Sequence, residues 1–192
     1  MDQKMITFLS ILAIVCVVFL VVAVPVSIYS LIAKRTPKAF QPARQAIGES
    51  ALWLAFAVAA VSTLGSLYLS EYANFIPCDL CWFQRIFMYP LPVILGIAAY
   101  RKDMTIRLYA IPLAVLGICV STYHYLIQRF PENVSYQCTT ESSCDAVYVW
   151  KFHFLSIPGM AWLGFATVIA LLLMATPALA SASSRDTVDQ SD

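Results

Sequence analysis

Five long apolar segments limit the folds that this chain can adopt. They cover residues 5–33, 51–70, 80–100, 108–128 and 154–176. An α-helix needs about 20 apolar residues to cross the hydrocarbon core of a bilayer, and each segment meets that length. Because every backbone hydrogen bond must be satisfied inside lipid, runs of this kind fold as helices. The pattern predicts an all-α, polytopic membrane protein.

Composition supports this fold class and argues against one class of function. Of the 192 residues, 60% are hydrophobic and 12% are charged, and the mean hydropathy is +0.76. A soluble globular domain carries about 25% charged residues. The formal net charge is only +1, and the 12 Lys and Arg are scattered, whereas a nucleic-acid-binding surface needs clustered basic residues. We expect a membrane protein that does not bind nucleic acid.

The charges between the apolar segments predict the orientation of the chain. Basic residues follow the first and the third segment: Lys34, Arg35, Lys38, Arg44, Arg101, Lys102 and Arg107. Short basic loops tend to stay in the cytoplasm. The amino terminus and the polar stretches 71–79 and 129–151 are then predicted on the outer face.

Three parts of the chain are expected from these segments. Residues 1–50 hold a first transmembrane helix and a cytoplasmic basic loop. That helix is predicted to be retained, because "KRTPKAF" follows it where a signal peptide has a small-residue cleavage site. Residues 51–176 form a four-helix core, and residues 177–192 form a disordered cytoplasmic tail.

The six cysteines fall into two groups. Cys16 and Cys119 lie inside apolar segments, where a thiol packs as a small hydrophobe. The other four lie on the predicted outer face, where disulfides persist: Cys78, Cys81, Cys138 and Cys144. These four are the candidates for chemistry.

The stretch "CDLCWFQR" places Cys78 and Cys81 at the start of the third predicted helix, directly after Pro77. The unpaired amides of a helix start favour the thiolate, which is the reactive form of cysteine. Arg85 lies four residues after Cys81 on the same helical face and strengthens this effect. An arginine costs roughly 2.5–3.5 kcal/mol at mid-bilayer, so a function is expected for it. The alternative is an arginine that only snorkels to the head groups.

A second cysteine pair lies in the outer loop. In "CTTESSC", Cys138 and Cys144 enclose five residues, a ring that a disulfide can close. Alone, such a disulfide is usually structural. Beside a reactive C-x-x-C, the two pairs can exchange through mixed disulfides.

Repeated disulfide formation needs an electron acceptor, and the apolar acceptor of a bilayer is a quinone. The sequence contains neither G-x-G-x-x-G nor a P-loop for a nucleotide cofactor. His124, near the outer end of the fourth segment, is a candidate donor to a quinone carbonyl. A hydrogen bond from His124 to a neighbouring helix is the alternative.

Together, "CDLCWFQRIFMYP", "CTTESSC" and "YHYLIQ" resemble the DsbB/BdbC family of disulfide bond formation proteins, and look closest to its BdbC-type members. The resemblance covers about residues 51–176, which correspond to the family's four-helix transmembrane bundle. Segment 5–33 is then an extra N-terminal transmembrane helix.

The resemblance implies a protein-dithiol:quinone oxidoreductase of the bacterial plasma (inner) membrane that reoxidises a DsbA- or BdbD-like thioredoxin-fold partner. Cys138 and Cys144 would receive the partner's electrons, and Cys78 and Cys81 would pass them to ubiquinone or menaquinone. Arg85 would stabilise the Cys81 thiolate and the quinone. His124 corresponds to a cofactor contact by its position, and no metal is implied.

Three other interpretations remain open at this point. A vitamin K epoxide reductase-like quinone reductase also joins a loop pair to a C-x-x-C, but in that family the loop pair comes first. A tetraspan-like organiser would use its cysteines as structural disulfides. The four thiols could also form a zinc site.

Overall fold

The computed structural model describes residues 3–32, 41–130, 144, 149 and 155–175. The α-helices in these ranges are α1 (Gln3–Ile32), α2 (Gln41–Glu71), α3 (Asp79–Met88), α4 (Pro90–Arg101), α5 (Arg107–Arg129) and α6 (Ile157–Met174). A short 3-10 turn, Met104–Ile106, precedes α5. The predicted tail and most of the second outer stretch, including Cys138, lie outside the described residues.

Within the described residues, five helical stretches are long and apolar enough to cross a membrane. They are Ile6–Pro25, Ser50–Glu71, Asp79–Arg101, Met104–Arg129 and Ile157–Met174. Each falls within or closely overlaps one of the apolar segments of the sequence. The predicted all-α, polytopic membrane fold is confirmed.

Prolines shape the third and fifth of these stretches in different ways. The third consists of α3 and α4, which meet at Tyr89 and Pro90. In the fifth, α6 begins only at Ile157, so Pro158 lies in its first turn. Ser156 caps that turn by accepting a hydrogen bond from the Gly159 N–H at 3.4 Å. A proline in the first turn interrupts no helical hydrogen bond.

The central core brings α2, α4, α5 and α6 together. Small residues let the backbones approach, among them Ala55 and Ala59 of α2 and Ala114 of α5. Phe165 of α6 is fully buried and lies against Gly117 of α5, where an added Cβ would stand 2.3 Å from the ring. Only glycine fits at position 117. The packing of α5 on α6 therefore depends on this one missing side chain.

Helix α1 lies at the side of this core and packs mainly against α6. Near its amino-terminal end, Ile6 joins a buried cluster with Leu69, Phe75 and Val149. One turn further along, Leu9 lies against Gly65 of α2. The opposite face of α1, including Val15 and Val18, is exposed. An apolar face of this kind suits lipid.

Candidate functional site

The C-x-x-C cysteines lie at the start of α3. Cys78 is the N-cap residue of this helix, and its carbonyl accepts a hydrogen bond from the Trp82 N–H at 3.1 Å. The incoming chain is anchored by the Phe75 N–H, which donates to the Leu69 carbonyl at 3.0 Å. Cys78 and Cys81 are both free thiols, and their Sγ atoms are 3.1 Å apart. The pair is a dithiol at hydrogen-bonding distance.

The pKa of Cys78 is lowered well below its ordinary value. The largest cause is the hydrogen bond with the Cys81 thiol, and the hydrogen bond with His124 acts in the same direction. Burial opposes the shift but is outweighed. The neighbours that favour the Cys78 thiolate are thus Cys81 and His124. The predicted effect of Arg85 on the Cys81 thiolate stays a prediction.

His124 lies between Cys78 and Cys144. It is almost fully buried on α5, and its Nε2 is 3.7 Å from Cys78 Sγ and 3.2 Å from the Cys144 carbonyl oxygen. On the other side of the ring, Gln84 Nε2 lies 2.9 Å from Nδ1. With Gln84 donating to Nδ1, neutral His124 carries its proton on Nε2, facing Cys78 and Cys144. Its hydrogen bond to Gln84 of α3 is the neighbouring-helix contact that the sequence left open.

The sequence motifs did not identify Gln84 as a residue of the site. It is buried and lies on the same face of α3 as Leu80 and Met88, four residues before and after it. A polar residue in the middle of a buried stripe at this spacing is the signal that identifies it, because a buried amide needs hydrogen-bond partners.

Cys144 lies against the dithiol. It is buried and disulfide-bonded, whereas the other described cysteines, Cys16, Cys78, Cys81 and Cys119, are free. Cys144 shares a buried cluster with Cys78, Leu80 and Ile127, and Cys81 packs against that cluster. Cys144, one member of the loop pair, therefore packs in the same buried cluster as the C-x-x-C. Cys138, its predicted partner, lies outside the described residues.

The Arg85 side chain reaches α2. Its Nε donates to Ser66 Oγ at 3.1 Å, and its Nη2 donates to the Ser66 carbonyl at 3.3 Å. The guanidinium carbon lies 5.2 Å from the centre of the Trp82 ring, within range of a cation–π interaction. These contacts hold Arg85 inside the protein and do not leave it extended toward the head groups.

A cavity of about 320 Å³ lies between α1, α2, α3 and α6. Cys81, Gln84 and Arg85 contribute to its wall at one end, and most of the remaining lining is apolar. His124 is not among the lining residues. Its volume falls in the range of small-molecule sites, about 300–1,000 Å³. The cavity therefore connects one cysteine of the dithiol to an apolar space with two side-chain N–H donors.

Metal binding was the remaining chemical alternative. A site of four thiolates is incompatible with a disulfide-bonded Cys144. In the part of the chain that the structure describes, Cys78, Cys81 and His124 have ligand atoms within 4.8 Å of one another. These make three ligands, one fewer than a structural zinc site uses.

A partly buried dithiol beside a disulfide-bonded cysteine, in a multi-pass helical protein, is typical of a membrane thiol oxidoreductase. The family model "Disulfide bond formation protein DsbB" matches residues 48–175, so this chain belongs to the DsbB family. The resemblance read from the motifs is confirmed. Family membership favours disulfide bond formation over the epoxide reductase-like and organiser alternatives.

Curated relatives carry the same function in their names. "Probable disulfide formation protein C 2" of Bacillus anthracis is 44% identical over 119 residues, covering 62% of this chain and 85% of the relative. "Disulfide bond formation protein C" of Bacillus subtilis (strain 168) is 40% identical over 124 residues, covering 64% and 90%. "Probable disulfide formation protein" of Coxiella burnetii (strain Dugway 5J108-111) is 40% identical over 126 residues, covering 65% and 86%. No solved structure matches the chain significantly.

Proposed function

We propose that the chain is a protein-dithiol:quinone oxidoreductase that reoxidises a DsbA- or BdbD-like thioredoxin-fold partner. The observation that carries the proposal is the order in which the cysteines of the site contact one another and the cavity. Cys144 shares a buried cluster with Cys78, and Cys81, next to Cys78, lines the apolar cavity. This arrangement supports electron transfer from Cys144 to Cys78 and from Cys81 into the cavity.

In the first step, a thiolate of the reduced partner attacks Cys138 of a Cys138–Cys144 disulfide and releases the Cys144 thiolate. That Cys138 pairs with Cys144 is supported by the four other cysteines being free thiols. The second thiol of the partner then attacks the mixed disulfide and leaves the loop pair reduced. The partner has lost two electrons and two protons.

In the second step, the Cys144 thiolate attacks Cys78 of an oxidised Cys78–Cys81 pair, which releases Cys81 as a thiolate. Cys138 then displaces Cys78, restoring the loop disulfide and leaving the dithiol reduced. Two features support this direction. The surroundings of Cys78 lower its pKa, which makes it a good leaving group, and the Nε2 proton of His124 faces both sulfur-bearing residues.

The cavity fits a quinone. Its apolar lining suits an isoprenoid tail, and Arg85 and Gln84 offer N–H groups to carbonyl oxygens near Cys81. A ubiquinone or menaquinone held there would supply the electron acceptor, taking up two electrons and two protons to give the hydroquinone. Cys81 and Cys78 supply those electrons and return to the disulfide. The structure gives no support to the predicted contact of His124 with the quinone, since His124 faces the cysteines.

The test is quinone reduction by purified protein in detergent, followed by absorbance, with a reduced thioredoxin-fold partner and a short-chain quinone. Wild type is compared with Cys81→Ser and Cys138→Ser. Cys119→Ser is the matched control, because Cys119 is an exposed thiol on the membrane-facing side of α5. We expect turnover in wild type and Cys119→Ser and loss of turnover in the other two. Turnover in Cys81→Ser at the wild-type rate would contradict the proposal.

A further inference from the structure

Helix α1 contributes one wall of the apolar cavity. Leu9, Leu12, Ala13 and Cys16 line it, at the spacing of one helical face. The family match begins only at residue 48, so α1 lies outside the part of the chain that the family shares. A helix additional to the family core therefore completes the space into which Cys81 opens.

The contacts of α1 show which part of the cavity each residue lines. Leu9 lies against Gly65, the residue before Ser66, and Ser66 is the hydrogen-bond partner of Arg85. Leu9 is therefore level with the arginine. Cys16 lies seven residues further along α1, about 10 Å deeper at 1.5 Å per residue. Ala13 and Cys16 thus line the deep end of the cavity, away from the polar groups.

Resting on the function proposed above, we infer that α1 is the part of the quinone site that contacts the tail. The small side chains of Ala13 and Cys16 leave the deep end open, and the polar ring lies beside Arg85 and Cys81. This end suits a flexible apolar chain, because most of the lining there is apolar. Helix α1 therefore determines which tails the site accepts.

The first test fills the deep end with a larger side chain. Ala13→Phe and Cys16→Phe are compared with Val15→Phe, which adds the same ring on the exposed face of α1. Steady-state reduction is measured with a quinone carrying an isoprenoid tail and with a tailless benzoquinone. We expect KM for the tailed quinone to rise about tenfold in the first two variants, with the tailless quinone and Val15→Phe unchanged.

A second measurement uses the wild-type chain and does not depend on variants that fold. Alkylation of Cys16 by N-ethylmaleimide is followed by peptide mass spectrometry with and without the tailed quinone. We expect the quinone to slow alkylation of Cys16 severalfold and to leave Cys119, outside the cavity, unchanged.

The outcomes separate the two proposals. If the wild type reduces quinone, but filling the deep end leaves KM unchanged and Cys16 is not protected, the inference about α1 is overturned and the proposed function stands. If the wild type reduces no quinone and Cys16 is not protected, both fall. If Ala13→Phe and Cys16→Phe fail to accumulate, the alkylation of Cys16 tests the inference alone. Protection by the tailed quinone supports the inference about α1, and no protection overturns it.

Discussion

Cys78 differs from an ordinary free thiol because two groups favour its deprotonated form. The Cys81 thiol lies 3.1 Å from its sulfur, and the His124 ring lies 3.7 Å from it. Cys78 is also the N-cap of α3, where the backbone amides of the first turn point outward. A thiolate at neutral pH follows from this geometry, although Cys78 is buried.

The pH dependence of alkylation tests this assignment at Cys78. Its lowered pKa keeps the thiolate formed as the pH falls, so its rate of reaction with iodoacetamide should stay nearly constant between about pH 8 and pH 6. Cys81→Ala removes the largest cause of the shift, so the pKa of Cys78 rises. Below that raised pKa, the rate should fall about tenfold per pH unit. Alkylation of Cys119 in the same samples controls for reagent access, and identical Cys78 profiles in both proteins would contradict the assignment.

Gln84 positions His124, and its removal should affect both stability and electron transfer. In Gln84→Leu, Nδ1 of the buried His124 loses its hydrogen-bond partner. We expect a loss of about 1–3 kcal/mol in the free energy of unfolding and slower exchange from the loop pair to Cys78. Thermal unfolding and rapid acid-trapping of the thiols measure the two effects. Phe83→Leu, at the exposed neighbouring position, is the control, and a Gln84→Leu protein that matches it in both assays would exclude the positioning role.

At the scale of helices, single positions decide how closely two elements approach. Gly117 lets α5 lie against Phe165 of α6, and α5 carries His124 two turns further along. The start of α6 at Ile157 and the α3–α4 junction at Tyr89 both follow from prolines at positions that need no amide donor. The site is thus held by helices whose ends and contacts are set locally.

Gly117→Ala should destabilise the protein by about 1–3 kcal/mol, because the new methyl group overlaps the buried Phe165 ring. Gly159→Ala is the matched control, since its Cβ would have no neighbour closer than 3.6 Å. The two are compared by thermal unfolding in detergent. Phe165→Leu in the Gly117→Ala background should recover part of the loss. Equal unfolding temperatures for the two alanine variants would show that the α5–α6 contact is looser than described.

At the scale of the whole molecule, the proposed function requires the cysteines to face the outer compartment. The α2–α3 connection carries Cys78 at one end of the bundle, and the turn between α4 and α5 lies at the other end. Between them the chain crosses once, through α3 and α4. The two connections must therefore lie on opposite sides of the membrane.

Cysteine labelling in intact bacterial cells tests this orientation. Tyr72 is strongly exposed in the α2–α3 connection, and Thr105 is exposed in the α4–α5 turn. A membrane-impermeant maleimide should label Tyr72→Cys in intact cells and Thr105→Cys only after the cells are opened, with the unsubstituted chain as background. The reverse pattern would place the site in the cytoplasm and contradict the predicted orientation.

The sequence by itself determined the number of membrane-spanning stretches, because span length and apolar character are local properties. It also determined the family, because the C-x-x-C with its following arginine is a short contiguous sequence motif. It placed Cys78 and Cys81 at a helix start for the same reason, since Pro77 and the change from polar to apolar residues mark that boundary.

Only the tertiary structure decided which groups meet. His124 and Gln84 are 40 residues apart, and their contact depends on how α3 packs against α5. Helix α1 is apolar on every side, so its sequence contains no period to show that Leu9, Ala13 and Cys16 face a cavity and Val15 faces outward. Burial and hydrogen bonding between distant segments are properties of packing, and no local pattern records them.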